Sequence, residues 1–274
     1  VQISPTRRSF PNEFRKYWAI LQTQVANSFA YPADLLYRSI SIVLFMWIFA
    51  QLWRVTYGAS GESVIAGLTL RDTMWYLMLA ETMILSRPRV STTIAENVKD
   101  GTIAYLLNKP YNFILYQFSF GLGDSLLRMI TNSLVGGVVV WFLVGPPPDP
   151  RGWHLVLIAV LLAWIIDFCL NAMLGLLAFI TEEIAAFEWI YNKFVLILGG
   201  VLIPLDFFPD WLQSIAFSLP FAYSVYGPAR LFVDPTLSRF LDLILIQGLW
   251  VIALGVVLAL LYRKGTAWLS INGG

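Results

Sequence analysis

Six apolar runs decide what this chain can fold into: residues 36–53, 73–86, 113–144, 153–180, 184–205 and 240–262. About 20 helical residues cross the roughly 30 Å hydrocarbon core of a bilayer. The second run is short for that task and must extend past Leu70 or into the polar residues that follow. The third is longer than needed and is expected to begin as a bent or interfacial piece. Inside lipid a segment has to satisfy its own backbone hydrogen bonds, which here means helices. Composition agrees, because 58% of the 274 residues are hydrophobic and 13% charged. Soluble domains average roughly 45–50% and 25%, and so few charges cannot coat a water-soluble surface. The expectation is an all-α membrane protein with six transmembrane helices in one domain spanning residues 1–274.

The same residues exclude several chemistries. One cysteine (Cys169) and one histidine (His154) provide no disulfide framework and no histidine-rich metal site. A net charge of +1 gives no pull toward nucleic acid. No phosphate-cradling G-x-x-x-x-G-K-[ST] loop is present, so any ATP the protein uses has to be bound by another chain.

The first ten residues are polar and basic (Arg7, Arg8) and do not lead into a signal-peptide core. Pro11 then opens a candidate helix over residues 11–30. Phe14, Trp18, Leu21, Val25 and Phe29 share one stripe, opposite Arg15, Lys16, Gln22 and Gln24, the pattern of a helix lying in the membrane interface. With the N-terminus inside, the cytoplasmic segments hold Arg7, Arg8, Arg15, Lys16, Arg87, Arg89, Lys99, Lys109, Lys193, Arg263 and Lys264. The opposite side holds Arg54, Arg71, Arg151, Arg230 and Arg239. The excess of cations places both termini in the cytoplasm.

Two segments are neither plain spans nor plain loops. In residues 94–110, Gly101 can end a polar helical turn in the left-handed conformation. Thr102 can cap a second short helix whose Ile103, Leu106 and Leu107 form one face, and Pro110 stops it. Such an amphipathic knob suits docking onto a partner protein. In residues 199–233, Pro204, Pro209, Pro220 and Pro228 interrupt a stretch as apolar as a span. Each proline would break a continuous helix, so the expected form is a broken, re-entrant helical hairpin before the last span. Irregular backbone at membrane depth needs protein or a water-filled cavity around it, which makes this hairpin a gate candidate.

The run Glu96-x-x-x-x-Gly101-Thr102-Ile103-x-x-Leu106-Leu107-x-x-Pro110 resembles the cytosolic segment after the second span of ABC-2 type permeases. The run from Gly199-Gly200 through Pro204, Phe207, Phe208, Pro209 and Trp211 is similar to their extracellular hairpin. With the interfacial helix and six spans, the resemblance covers essentially the whole chain, most closely the small bacterial permeases encoded beside a separate ATPase. It implies the membrane subunit of an ATP-binding cassette exporter in the bacterial inner membrane. Two permease chains would pair, each docked on a nucleotide-binding ATPase subunit that carries the ATP and Mg; this chain would hold no cofactor. Phe14, Trp18, Glu96, Gly101, Thr102 and Leu106 would couple to the ATPase, with Glu182 and Glu183 as a smaller contact. Pro204, Phe207, Phe208, Pro209 and Trp211 would form the outer gate. The substrate class is a lipid, a lipid-linked glycan or a hydrophobic drug. A large extracellular domain is missing, which argues against a periplasm-spanning pump.

Glu81, Asp124, Arg128, Asp167 and Asn171 fall inside expected spans, where an unpaired charge costs about 2.5–3.5 kcal/mol. Asp124 and Arg128 are four apart and can pair. Asp167 and Asn171 share a face and want a partner from another helix or a ligand, so both join Glu81 as translocation-path candidates. Glu81 could face the Arg87–Arg89 cluster or a neighbouring span. Trp164 and Trp189 read as core packing, Cys169 as a small apolar filler. The alternatives are an intramembrane lipid-modifying enzyme using Asp167, Glu81 or His154 as acid or base, and an ATP-independent carrier.

Overall fold

The computed structural model describes residues 10–29, 32–181 and 183–272. Twelve α-helices are described: α1 Phe10–Phe29, α2 Pro32–Ser60, α3 Leu70–Leu85, α4 Val90–Lys99, α5 Thr102–Leu107, α6 Phe113–Val144, α7 Trp153–Leu176, α8 Ala185–Leu198, α9 Asp210–Phe217, α10 Pro220–Ser224, α11 Tyr226–Val233 and α12 Leu237–Asn272. A two-residue antiparallel pair, β1 (Val64–Ile65) with β2 (Leu68–Thr69), joins α2 to α3. Its turn residues Ala66 and Gly67 both have positive φ, 50° and 76°, as a tight hairpin turn of matching twist requires. The local signal for this hairpin is Ala66-Gly67 between the β-favouring pairs Val64-Ile65 and Leu68-Thr69.

Among the described residues four helical stretches are long and apolar enough to cross a membrane: Ser39–Ser60, Phe113–Val144, Pro150–Phe179 and Leu237–Ala267. The other two expected spans are short. The 16 residues of α3 and the 14 of α8 reach about 24 Å and 21 Å at 1.5 Å per residue. Each limit is local. A capping box between Thr69 and Asp72 starts α3, and Pro88 follows its end and cannot extend it. The fifth run, expected to span to Leu205, is helical only in α8, which stops at Leu198, and Gly200 turns the chain with φ +69°. Residues 201–209 then run irregularly through a single 3-10 turn at Leu205–Phe207.

Packing explains how a short α3 is tolerated. Every residue from Thr73 to Met83 is buried, because α2, α6 and α11 pack around it. Those neighbours carry the exposed apolar surface instead, through side chains such as Leu44 and Leu52 of α2 and Leu134 and Phe142 of α6. A second cluster forms around α7, where α12, α4, α5 and the first part of α6 converge on Phe168, Cys169 and Leu176. Glycines set the closest helix approaches. A Cβ on Gly136 of α6 would lie 2.7 Å from Ile42 Cδ1 of α2, and one on Gly175 of α7 would lie 2.9 Å from Ile94 Cβ of α4.

The third run is one unbroken helix. Its first turns lie beside α1 rather than forming a separate interfacial piece: Lys16 Nζ donates to Pro110 O at 3.3 Å, and Asn112 N donates to the Tyr17 hydroxyl at 2.9 Å. The face of α1 turned to α6 therefore includes Tyr17, Leu21 and Gln24. Phe14, Trp18 and Phe29 are exposed, so the expected apolar stripe is divided between α6 and the surroundings. Phe14 and Trp18 stack on each other with ring centroids 6.4 Å apart.

Candidate functional site

At one end of the molecule three separate segments meet. Beyond α4, Gly101 adopts φ +78° as expected, but it occupies the N-cap of α5 itself. The expected capping role of Thr102 is replaced: Asp100 Oδ1 accepts from Thr102 N at 2.8 Å, and that bonding lowers the Asp100 pKa from its ordinary 3.8. The Ile-x-x-Leu-Leu face does not point outward either. Ile103 is buried, and Leu106 and Leu107 pack on the core cluster around α7, because an apolar face beside an apolar core gains most by joining it. What α4 and α5 present outward is Glu96, Lys99, Asp100, Thr102 and Tyr105. Lys109 Nζ sits 4.3 Å from the Tyr105 ring centre.

The segment before α8 lies against this knob. Thr92 donates to Glu188 Oε1 at 3.1 Å, and Lys99 Nζ is 4.0 Å from Glu183 Oε2. The latter pair is exposed and worth little by itself, yet it places Glu183 beside α4. Glu182 lies outside the described residues. Lys16 on α1 bonds Pro110 just after α5, so 94–110, 183–188 and α1 form one continuous face.

Behind that face lies a buried charge cluster whose members come from three places in the chain. Arg87, in the turn between α3 and α4, brings Nη2 within 2.8 Å of Asp167 Oδ1 on α7. The Tyr191 hydroxyl of α8 donates to the same oxygen at 2.8 Å, and Asn171 Nδ2 donates to Asp167 Oδ2 at 3.1 Å. Asp167 thus finds its partners within the protein, and its charge is held rather than open. Glu81 behaves differently. It is 4% exposed and makes no ion pair with Arg87 or Arg89 among the described residues. Asp124 and Arg128 form the expected i,i+4 ion pair.

A polar chain unforeseen from sequence runs beside this cluster. Trp164 Nε1 donates to Ser125 Oγ, Ser125 Oγ to Ser86 O, Asn132 Nδ2 to Ser86 Oγ and Ser39 Oγ to Asn132 Oδ1, at 3.1, 2.6, 3.1 and 3.0 Å. It ties α7, α6, the end of α3 and α2 together, the work interhelical polar groups do in membranes. Trp164 is buried as expected, whereas Trp189 is exposed beside Lys193.

At the opposite end the interrupted segment forms α9, α10 and α11. Its prolines stand where helices tolerate them: Pro209 before α9, Pro220 first in α10 and Pro228 in the first turn of α11. The Tyr76 hydroxyl of α3 donates to Gly200 O at 2.6 Å and pins the turn after α8. The gate candidates separate. Phe207 packs on Trp53 of α2 at 4.9 Å between ring centres, Phe208 joins a small cluster with Leu205 and Ala216, and Trp211 is exposed. Pro204 is buried and Pro209 exposed. Charges hold the hairpin: Arg230 Nε and the Tyr226 hydroxyl each donate to Asp206 Oδ1 at 3.2 Å, and Arg239 Nη2 donates to Asp234 Oδ2 at 2.8 Å. The break between α10 and α11 is met from α12, where Gln247 Nε2 donates to Tyr223 O at 2.9 Å. A cavity of about 360 Å³ opens between α11 and α12, lined by Tyr226 and Arg230 of α11 and by Arg239, Leu243 and Ile246 of α12.

Long apolar helices, with a proline-interrupted helical segment at one end and a polar knob at the other, define a multi-pass membrane protein. The family model described as ABC-2 family transporter protein matches residues 35–273, and the chain belongs to that family. A search of curated proteins finds no match.

Proposed function

We propose that this chain is the transmembrane subunit of an ATP-binding cassette exporter with six membrane passages, both termini on the cytoplasmic side of a bacterial inner membrane. It pairs with a second permease chain and with two ATPase subunits that carry ATP and Mg. The observation that carries this reading is the convergence of α1, the α4–α5 knob and the segment around Glu183 on one face. Three stretches distant in sequence expose polar side chains and stacked aromatics there, a composition suited to a protein partner. Glu96, Thr102, Glu183, Phe14 and Trp18 are the contact residues; Gly101 shapes the knob, and Leu106 anchors it from inside.

The structure also suggests how a push on the knob is passed on. Ile94 of α4 sits against Gly175 of α7, and Arg87 grips Asp167 of α7 and, through it, Tyr191 of α8. Displacing α4 therefore moves α7 and α8, and α8 leads directly into the hairpin with Phe207 and Trp211. The substrate is hydrophobic or amphipathic, leaving past that hairpin. Asp167 and Asn171 act in this scheme as positioning residues for the helices beside the path, and Glu81 is the polar group left for it. The test is association: Glu96→Lys with Tyr105→Asp alters two exposed positions and should abolish co-purification of a P-loop ATPase from native membranes while the permease still inserts. Undiminished ATPase recovery with the double variant would refute the coupling face.

A further inference from the structure

A second cavity, of about 300 Å³, lies between α1, the turn from α3 into α4, and α6. It adjoins the coupling face through Gln24 of α1 but is remote from the interrupted segment, and none of the expected site residues lines it. Among its polar side chains Arg89 and Arg128 only donate, Asp124 only accepts, and Gln24, Thr93 and Gln117 can do either. Gln117 of α6 lines the cavity, is 2% exposed, and its Nε2 has no hydrogen-bond partner among the described residues. Buried polar groups are nearly always paired, so an unspent amide donor on a cavity-lining residue calls for an acceptor. The N-terminus of α4 opens into the same space, with Arg89 at the N-cap and Val90 first in the helix, and no side chain caps it. Helix N-termini present unbonded N–H groups and a partial positive charge, which favours anions.

The charges lean the same way. Asp124 and Arg128, both in the lining, are committed to each other. Arg89 is exposed and has no carboxylate partner among the described residues, so its charge is the uncompensated one. Pro88 and Phe120 supply an apolar wall next to these donors. A ligand that fits must accept several hydrogen bonds, carry negative charge and tolerate an apolar flank.

We propose that this cavity binds a phosphate group, of the kind a glycerophospholipid headgroup carries and free phosphate shares, held by Arg89, Gln117 Nε2 and the first turn of α4. Bound there, it bridges α1, α4 and α6 at the root of the knob. The inference stands apart from the exporter reading, since the site needs no ATPase and fails or succeeds on binding alone.

The experiment uses the purified full chain and short-chain phosphatidylglycerol, the diacylglycerol of the same chain length and inorganic phosphate as probes, read by native mass spectrometry and competition. Phosphatidylglycerol should be retained and the phosphate-free diacylglycerol lost. Arg89→Gln should weaken retention at least about tenfold, the loss of one charged hydrogen bond of about 1.5–3 kcal/mol. Gln117→Leu should weaken it several-fold, and Arg151→Gln at the other end should leave it intact. If Gln117→Leu fails to fold, the exposed Arg89 position decides by itself. Displacement of the lipid by millimolar inorganic phosphate assigns the site to the free anion; resistance assigns it to the lipid headgroup. Equal retention of diacylglycerol, or an Arg89→Gln variant that binds like the wild type, overturns the proposal.

Discussion

Replacing Asp167 with Asn tests the buried cluster most directly, because it removes a charge and almost no volume. The side chains of Arg87 and Asp167 are only 16% and 7% exposed, so water cannot take over from the lost carboxylate. Removing one partner of a buried ion pair costs about 3–5 kcal/mol, since the remaining charge stays desolvated. Asn keeps one acceptor oxygen for Tyr191, whereas its amide nitrogen cannot accept from Asn171, so about 0.5–1.5 kcal/mol of hydrogen bonding goes with the charge. At about 2–4 °C per kcal/mol for a chain of this size, the expected fall in Tm is roughly 6–20 °C. Cys169, the sole cysteine, is buried two residues away, so a thiol-reactive dye reports the loss of structure at the site itself. Arg87→Met with Asp167→Leu should recover most of the loss, because paired apolar replacements leave no orphaned charge. What remains is the Tyr191 hydroxyl without its acceptor, about 1–3 kcal/mol. A single variant melting within about 2 °C of the wild type, less than 1 kcal/mol, or a double variant no better than the single, would show that the pair does not anchor α7 to the α3–α4 turn.

Three further outcomes follow from individual contacts. Gly123→Leu should drive α1 off α6, because even a Cβ there would meet Leu21 O at 2.8 Å and Gln24 Cβ at 2.9 Å; faster proteolysis within α1 at unchanged membrane insertion is the readout. Tyr76→Phe leaves Gly200 O without its 2.6 Å donor and should destabilise the turn after α8 by about 1–3 kcal/mol, seen as faster hydrogen exchange across residues 199–208. Asp100 holds its proton less tightly when folded than its ordinary 3.8. Its capping of α5 is therefore complete above that value and is lost as pH falls through the lowered one. Pepsin nicking of residues 100–108 should rise only at that acid end, and Asp100→Asn should abolish the pH dependence.

Local chemistry made much of this molecule legible from its residues. The prolines at 88, 209, 220 and 228 mark helix boundaries because a missing N–H and a fixed φ act wherever they occur. Gly101 takes its left-handed turn for an equally local reason, and Asp124 pairs with Arg128 because helix geometry alone brings residues four apart together. The apolar runs likewise required a membrane, whatever their arrangement.

The pairings that give the site its character were not legible, because each depends on which helix faces which. Asp167 needs a partner on any reading; that the partner is Arg87, eighty positions earlier in the chain, with Tyr191 on a third element, is set by how α7 packs on α4 and α8. Leu106 could have faced a partner protein or its own core, and the nearness of α7 decided it. The brevity of α3 seemed a defect in a span until α2, α6 and α11 closed around it. Gln117 reads as one more polar residue on a long helix until α1 and the α4 N-terminus enclose it. Periodicity and breakers fix elements through forces acting over a few residues, whereas burial and charge pairing are fixed by contacts across the fold, and those exist only once the helices have packed.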